Sequence, residues 1–335
     1  MNKNIKYTNN PNNKAKSRII FDSKEISSDK DNLSQEGLYF NFKIDKTVDT
    51  QYHMLIVGPN DSPYSGGYYM FDCQFPDLYP FFPMRITSKT QGGDIRKHPN
   101  LYKNGKCCFS FLGTWSGPPW TACHNPKTVG ISMRSVLTNN PLTNEPGWED
   151  RDDTNTQLYE DIVRFFNVKY AVIELLENIP ANFECFRFTM YELFLKNYDK
   201  FVEQINLLHK YDKKEIKSPV YSFKIFVDCD DLSFKLIQLK TNISEILSKK
   251  EDTTKLKNDK KEEIVNEIIE SNHDVNNIDH SKVSNKSEKK KVTAIRPSNN
   301  CKFLEEGHCE LGGDNREYIV KKYDNGSKRW VLKKN

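Results

Sequence analysis

Apolar residues first recur at helical spacing in SRIIFDSKEI, where Ile19, Ile20 and Ile26 fall along one side and Ser17 is suited to cap the start. The pattern predicts a short amphipathic helix from Ser17. Four short runs follow, GLYFNFKID, QYHMLIVG, YYMFDCQF and MRITSK, each rich in aromatic and β-branched residues and separated by Gly, Pro, Asp or Asn. They predict an antiparallel meander with one face packed by helices. CHNPKTVGISMRSVLTNNP then reads as a helix carrying Val129, Met133, Val136 and Leu137 on one side, stopped by Asn-Asn-Pro. From Thr156 to Tyr211 the period is helical: Ile162, Phe166 and Leu176 precede a break at Pro180, and Phe186, Met190, Leu193, Phe201, Ile205 and Leu208 follow it. No strand alternates with a helix as a parallel sheet requires. The class is therefore α+β: an N-terminal helix, a four-stranded antiparallel sheet, an irregular loop and C-terminal helices.

The same rhythm divides the chain. Residues 1–16 are Asn/Lys-rich with almost nothing apolar, so a disordered tail is expected there. Residues 17–150 form the expected core domain, and 151–215 its helical extension. Residues 216–248, with YSFKIFVDC and DDLSFKLIQLKTNISEIL, predict a strand and a helix. No aromatic residue occurs between Phe234 and Phe303, and Lys, Glu, Asn, Asp and Ser dominate. Such a stretch buries too little apolar surface to offset its ordering entropy, so 249–299 is expected to be a charged flexible linker. In 300–335, Asn325-Gly326 between two alternating runs signals a small β-hairpin, which needs CKFLEEGHCELGG or a partner to lean on.

Composition narrows the class of function. A formal charge of +4 over 335 residues is too small and too mixed in sign to argue for nucleic acid. The eight cysteines have no disulfide-scaffold spacing, the N-terminus lacks the apolar run of a signal peptide, and no stretch is long enough to span a membrane. A reducing compartment, cytoplasmic or nuclear, is expected. Cys301, His308 and Cys309 lack a fourth zinc ligand, and the SEKKKV run reads as solvated linker charge. No metal or cofactor is expected.

The chemistry concentrates in HPNLYKNGKCCFSFLGTW, from His98 to Trp115. Pro99 stiffens the backbone and the Asn100 side chain offers both an acceptor and an amide donor. If the loop folds back over Asn104-Gly105, that amide comes near Cys107 or Cys108 and suits an oxyanion formed at an attacked thioester. The alternative is that Asn100 caps a turn and both cysteines pack as small hydrophobes. A cysteine protease with His98 as base is disfavoured, because no protease signature surrounds either thiol.

Taken together, GPNDSPYSGGYYMFDCQFPDLYPFFPMRI, the HPN triplet, NGKCCFSFLGTWSGPPWTA and NPLTNEPGWE resemble the ubiquitin-conjugating enzyme family across residues 17–215. They are most similar to its larger Z-type branch, which shares the LGTW-x-G-P insertion. The resemblance implies two-step acyl transfer. Cys108, with Phe109 where leucine is usual, would accept ubiquitin or a ubiquitin-like protein as a thioester, leaving Cys107 packed inward. Asn100 would support the oxyanion or the loop, with His98, Pro99 and Trp120 as scaffold. Glu145, or alternatively Asn144, would orient the incoming amine. Phe81 and Thr121 would face a ligase, although Trp120-Thr121-Ala122 departs from the usual Ser-Pro-Ala. Arg18, with Lys14 and Lys16, would meet the activating enzyme. The implied partners are a ubiquitin-activating enzyme, a ubiquitin ligase and protein substrates. The rival from another class is an inactive variant that only binds ubiquitin or scaffolds a ligase, and a buried Cys108 would favour it.

Overall fold

The computed structural model describes residues 5–8, 11–44, 48–250, 306, 308–311, 317–322 and 328–333. The first helix, α1 (Asn13–Ser28), starts four residues ahead of the apolar pattern because the Asn12 side chain caps it, accepting the Ala15 amide at 2.9 Å. Residues 5–8 are tied down as well, so the disordered tail expected over 1–16 does not hold for the described residues 5–8 and 11–16. The Thr8 amide and hydroxyl reach the Asp77 carboxylate at 2.7 and 2.9 Å, and the Tyr7 hydroxyl donates to the Pro83 carbonyl at 2.9 Å. These anchors are polar contacts to distant residues, to which an apolar-periodicity reading is blind.

After α2 (Lys30–Gln35) come β1 (Leu38–Ile44), β2 (Val48–Val57), β3 (Tyr68–Gln74) and β4 (Arg85–Ser88). They pair antiparallel in sequential order, with Leu55 opposite Met70 and Tyr52 opposite Cys73. One packed face was the expectation. Instead β3 is buried on both: Tyr68, Tyr69, Met70 and Phe71 are at most 1% exposed. One face packs against α3 (Pro126–Ser135), where a Cβ at Gly130 would come within 3.0 Å of the Phe40 ring. On the other, Phe183 lies 5.1 Å from the His53 ring and the Tyr68 hydroxyl donates to the Met190 carbonyl at 2.9 Å.

Helix α4 (Thr154–Phe166) opens with an Asp153/Thr156 capping box and continues as a π-helix, Asn167–Ile173, into α5 (Glu174–Glu177). The wide turn carries Asn167 inward. Its side-chain oxygen accepts the Tyr69 hydroxyl at 2.7 Å, while its amide donates to the Ser65 carbonyl at 3.0 Å and to Gln204 at 2.9 Å. Gly67 is required beside it, since a Cβ there would sit 1.8 Å from the Asn167 oxygen. Helix α6 (Arg187–Leu208) closes over this network.

Beyond α6, β5 (Lys214–Lys217) pairs with β6 (Lys224–Val227), and α7 (229–250) buries Leu232, Leu236, Leu239 and Ile243. Strand β5, KEIK, has one apolar residue and left no signal in the sequence. The last described strands form a separate unit: β7 (Cys309–Leu311), β8 (Glu317–Lys322) and β9 (Lys328–Leu332) make an antiparallel sheet around Tyr318, Val320 and Trp330. Asn325-Gly326, Cys301 and the linker from 251 onward lie outside the described residues, so the hairpin turn, the candidate zinc set and the SEKKKV run have no placement. No described helix is long and apolar enough to cross a membrane.

Candidate active site

The HPN loop leaves β4 and turns back at Asn104-Gly105. Gly105 has φ +88°, and a Cβ there would meet the Ser88 carbonyl oxygen at 2.8 Å, so only glycine brings the loop this close to the sheet. The return stroke places Cys107 opposite Leu101 and Cys108 opposite Asn100. The Asn100 carbonyl accepts the Cys108 amide at 2.8 Å, and the Asn100 side-chain amide donates to the Cys108 carbonyl at 2.6 Å. That donor is engaged with the backbone, so in this conformation Asn100 braces the loop and does not present an oxyanion donor. Its side-chain oxygen is buried without a hydrogen-bond partner.

His98 is fully buried. Its Nδ1 accepts the Asn100 amide at 2.9 Å, which leaves Nε2 to donate to the Val136 carbonyl at 3.0 Å and ties the loop to the end of α3. Burial drives its pKa down to about 3, so the ring stays neutral at physiological pH with both nitrogens occupied. That removes it as a general base. Pro99 contributes its carbonyl, which accepts Arg96 Nη2 at 2.5 Å. Lys97 is buried beside them without a hydrogen-bond partner for its amine, 5.6 Å from the Phe166 ring, and burial lowers its pKa to about 8.

The two cysteines differ. Cys107 belongs to the apolar core, and burial pushes its thiol up to about 12, which makes it a poor nucleophile. Cys108 lies outside that apolar cluster but is only 1% exposed. Next to it a cavity of about 340 Å³ is lined by Asn100, Phe109, Ser110, Trp115, Thr143, Asn144, Pro146 and Glu149. Glu145 does not line this cavity. Its carboxylate turns away to accept the Tyr221 hydroxyl at 2.6 Å, with Arg96 Nη2 at 3.6 Å. The residues lining the cavity from this segment are Thr143, Asn144, Pro146 and Glu149. Trp115, Glu149, Arg96 and Tyr221 were not singled out from sequence. Trp115 and Glu149 lay within the motifs quoted above, whereas nothing near Tyr221 in sequence advertises a contact made 76 residues away.

The rim comes together as a second cluster. Trp120 Nε1 donates to the Pro80 carbonyl at 2.7 Å, drawing the Pro80–Pro83 turn beside Thr121, whose amide bonds His124 at 3.0 Å. Phe81 is 68% exposed on that turn. It borders an apolar cleft of about 790 Å³ that runs past Met84, Leu112 and Trp120 to Cys107. Arg18 is not a free cation, for its guanidinium bonds Asp22 at 2.7 Å and the Ala122 carbonyl at 3.3 Å. Lys14 remains exposed.

A helix-backed four-stranded meander, followed by a loop that an asparagine pins to a cysteine backbone, defines the ubiquitin-conjugating fold. The chain carries a domain of that family: residues 23–166 match the model of the ubiquitin-conjugating enzyme. It is similar to the Z-type branch, being 40% identical over 161 residues to the ubiquitin-conjugating enzyme E2 Z of Homo sapiens, across 47% of this chain and 46% of that protein. It is 32% identical over 185 residues to the probable ubiquitin-conjugating enzyme protein 17 of Caenorhabditis elegans, across 51% of this chain and 25% of that one. Against the dual E2 ubiquitin-conjugating enzyme/E3 ubiquitin-protein ligase BIRC6 of Homo sapiens, identity is 33% over 205 residues, 57% of this chain and 4% of the other. The chain thus spans under half the length of these relatives.

Proposed function

We propose that this chain carries ubiquitin or a ubiquitin-like protein as a thioester on Cys108. The observation that supports it most is the pair of hydrogen bonds by which Asn100 fixes the Cys108 backbone at the edge of a cavity, within a domain of the conjugating family. In the proposed cycle the Cys108 thiolate attacks the thioester carbonyl on an activating enzyme, whose cysteine leaves. A lysine amine, or a ligase cysteine, then attacks the new thioester and Cys108 departs as the thiol. Asn100 holds the loop through both steps. Phe81 and Thr121 form the face offered to a ligase, and the basic start of α1, led by Lys14 and Lys16, the face offered to the activating enzyme. Protein substrates complete the set of partners, and a cytoplasmic or nuclear setting goes with them.

The burial of Cys108 favours a second reading, a variant that binds ubiquitin or a ligase without accepting the modifier. One experiment separates them. Purified protein is incubated with ubiquitin-activating enzymes, ubiquitin or ubiquitin-like proteins, and ATP, then run on a non-reducing gel beside Cys107→Ala and Cys108→Ala. Transfer predicts a thiol-sensitive adduct that survives in Cys107→Ala and is lost entirely in Cys108→Ala. No adduct from any combination, with the protein folded, establishes the binding-only reading.

A further inference from the structure

Glu145 belongs to the segment that walls the cavity beside Cys108, yet its carboxylate is held from behind by the extension. Tyr221 stands on the turn between β5 and β6, a turn closed by the Phe223 amide on the Tyr221 carbonyl at 2.8 Å and the Ser218 amide on the Phe223 carbonyl at 3.0 Å. From there its hydroxyl donates to Glu145 at 2.6 Å, and its ring meets Tyr159 edge-on at 5.8 Å. Arg96 completes the cluster. Its guanidinium lies between the rings of Tyr102 and Tyr221, 3.8 and 4.3 Å from their centroids, within 3.6 Å of Glu145 and bonded to the Pro99 carbonyl.

We infer that Tyr221 is a positioning residue for acyl transfer, locking the 140–149 wall of the cavity to the HPN loop through Glu145 and Arg96. The inference rests on the proposed role of the cavity beside Cys108. Physically, a hydrogen bond to a charged group is among the stronger ones in a protein, and this one joins half-buried side chains. Burial and the adjoining carboxylate hold the phenol well above its ordinary range, so it stays a donor at every physiological pH. The wall residues Thr143 and Asn144 sit one or two positions from this anchor, and an angstrom-scale shift of a wall is enough to misplace an entering amine.

The test uses the full chain and two independent readouts. In Tyr221→Phe, amide exchange over 140–149 should rise about tenfold, the size expected for losing a charged hydrogen bond. In discharge of the Cys108 thioester to free lysine, the half-saturating lysine concentration should rise by a similar factor, while loading by the activating enzyme stays within about twofold. Glu145→Gln, which keeps an acceptor for the hydroxyl but not its charge, should fall between the unaltered protein and Tyr221→Phe. Glu145→Ala should match Tyr221→Phe, and the double variant should be no worse than either. Unchanged exchange in Tyr221→Phe overturns the inference whether or not the protein loads. A uniform fall in loading and discharge with a lowered melting temperature also overturns it, as that marks a merely structural side chain. If the unaltered protein does not load, the proposed function fails while the exchange readout still decides the lock.

Discussion

The HPN loop and the rim that carries Phe81 belong to one domain but treat their side chains oppositely. Along the loop, Lys97, His98, Asn100, Cys107 and Cys108 are all withdrawn from solvent. At the rim, Phe81 and Leu78 are 68% and 49% exposed, and the order comes from a main-chain acceptor, the Pro80 carbonyl, held by Trp120. Covalent chemistry needs atoms fixed to a fraction of an angstrom, which buried hydrogen bonds supply. Docking needs only an apolar ring kept available, and an exposed large ring on a rigid turn supplies that.

The contrast breaks most readily at His98. Replacing it with alanine deletes an acceptor and a donor and leaves the Asn100 amide and Val136 carbonyl buried and unpaired, which should cost about 3 kcal/mol, read as a lowered denaturant midpoint with unchanged slope. The acid limb of stability follows from the same residue. The unfolded imidazole takes up a proton below about 6.5, whereas the folded one does so only near 3, so the unfolded state binds more protons between those values. Stability should therefore fall on acidification through that window, with His98 contributing a slope approaching about 1.4 kcal/mol per pH unit, and that contribution should vanish in His98→Ala.

Lys97 sharpens the comparison from the other side. Its folded pKa lies near 8, below the ordinary 10.5, so the buried charge destabilises the fold below pH 8 and the penalty lifts as pH rises from 8 to 10.5. Lys97→Met, of similar volume and still able to pack on Phe166, should stabilise by about 2 kcal/mol at pH 7, and the gain should shrink toward pH 10.5. Phe81→Ala should be the quietest change. Melting should move by less than about 0.5 kcal/mol and loading by less than twofold, while ligase-stimulated transfer drops; stability loss at Phe81 equal to that at His98 would erase the distinction.

Much of this was legible in the sequence because it is local. Aromatic and β-branched runs between turn residues gave the four strands, and an apolar side closed by Asn-Asn-Pro gave α3. The cysteine pair was sorted by motif, and the burial of Cys107 agrees with its inward placement. What escaped was carried by single polar atoms acting over long sequence separations. Asn12 caps α1 within a stretch that looks featureless, and KEIK pairs as a strand only because β6 lies alongside. Glu145 looked like a gate because the NPLTNEP motif suggested it, but its carboxylate is engaged by Tyr221, 76 positions away. Helical periodicity between Thr156 and Tyr211 was correct in class and silent about the π turn, which changes the phase of a helix without changing its composition.

That turn separates ancestry from self-sufficiency. The match to the family model ends at Phe166. The next residue, Asn167, is the one whose side chain joins the β2–β3 hairpin to α6. A chain cut where that match ends would lose its keystone: Tyr69 would face an empty acceptor site, and the space kept clear by Gly67 would hold nothing. The stretch that the family model matches is therefore smaller than what must fold together.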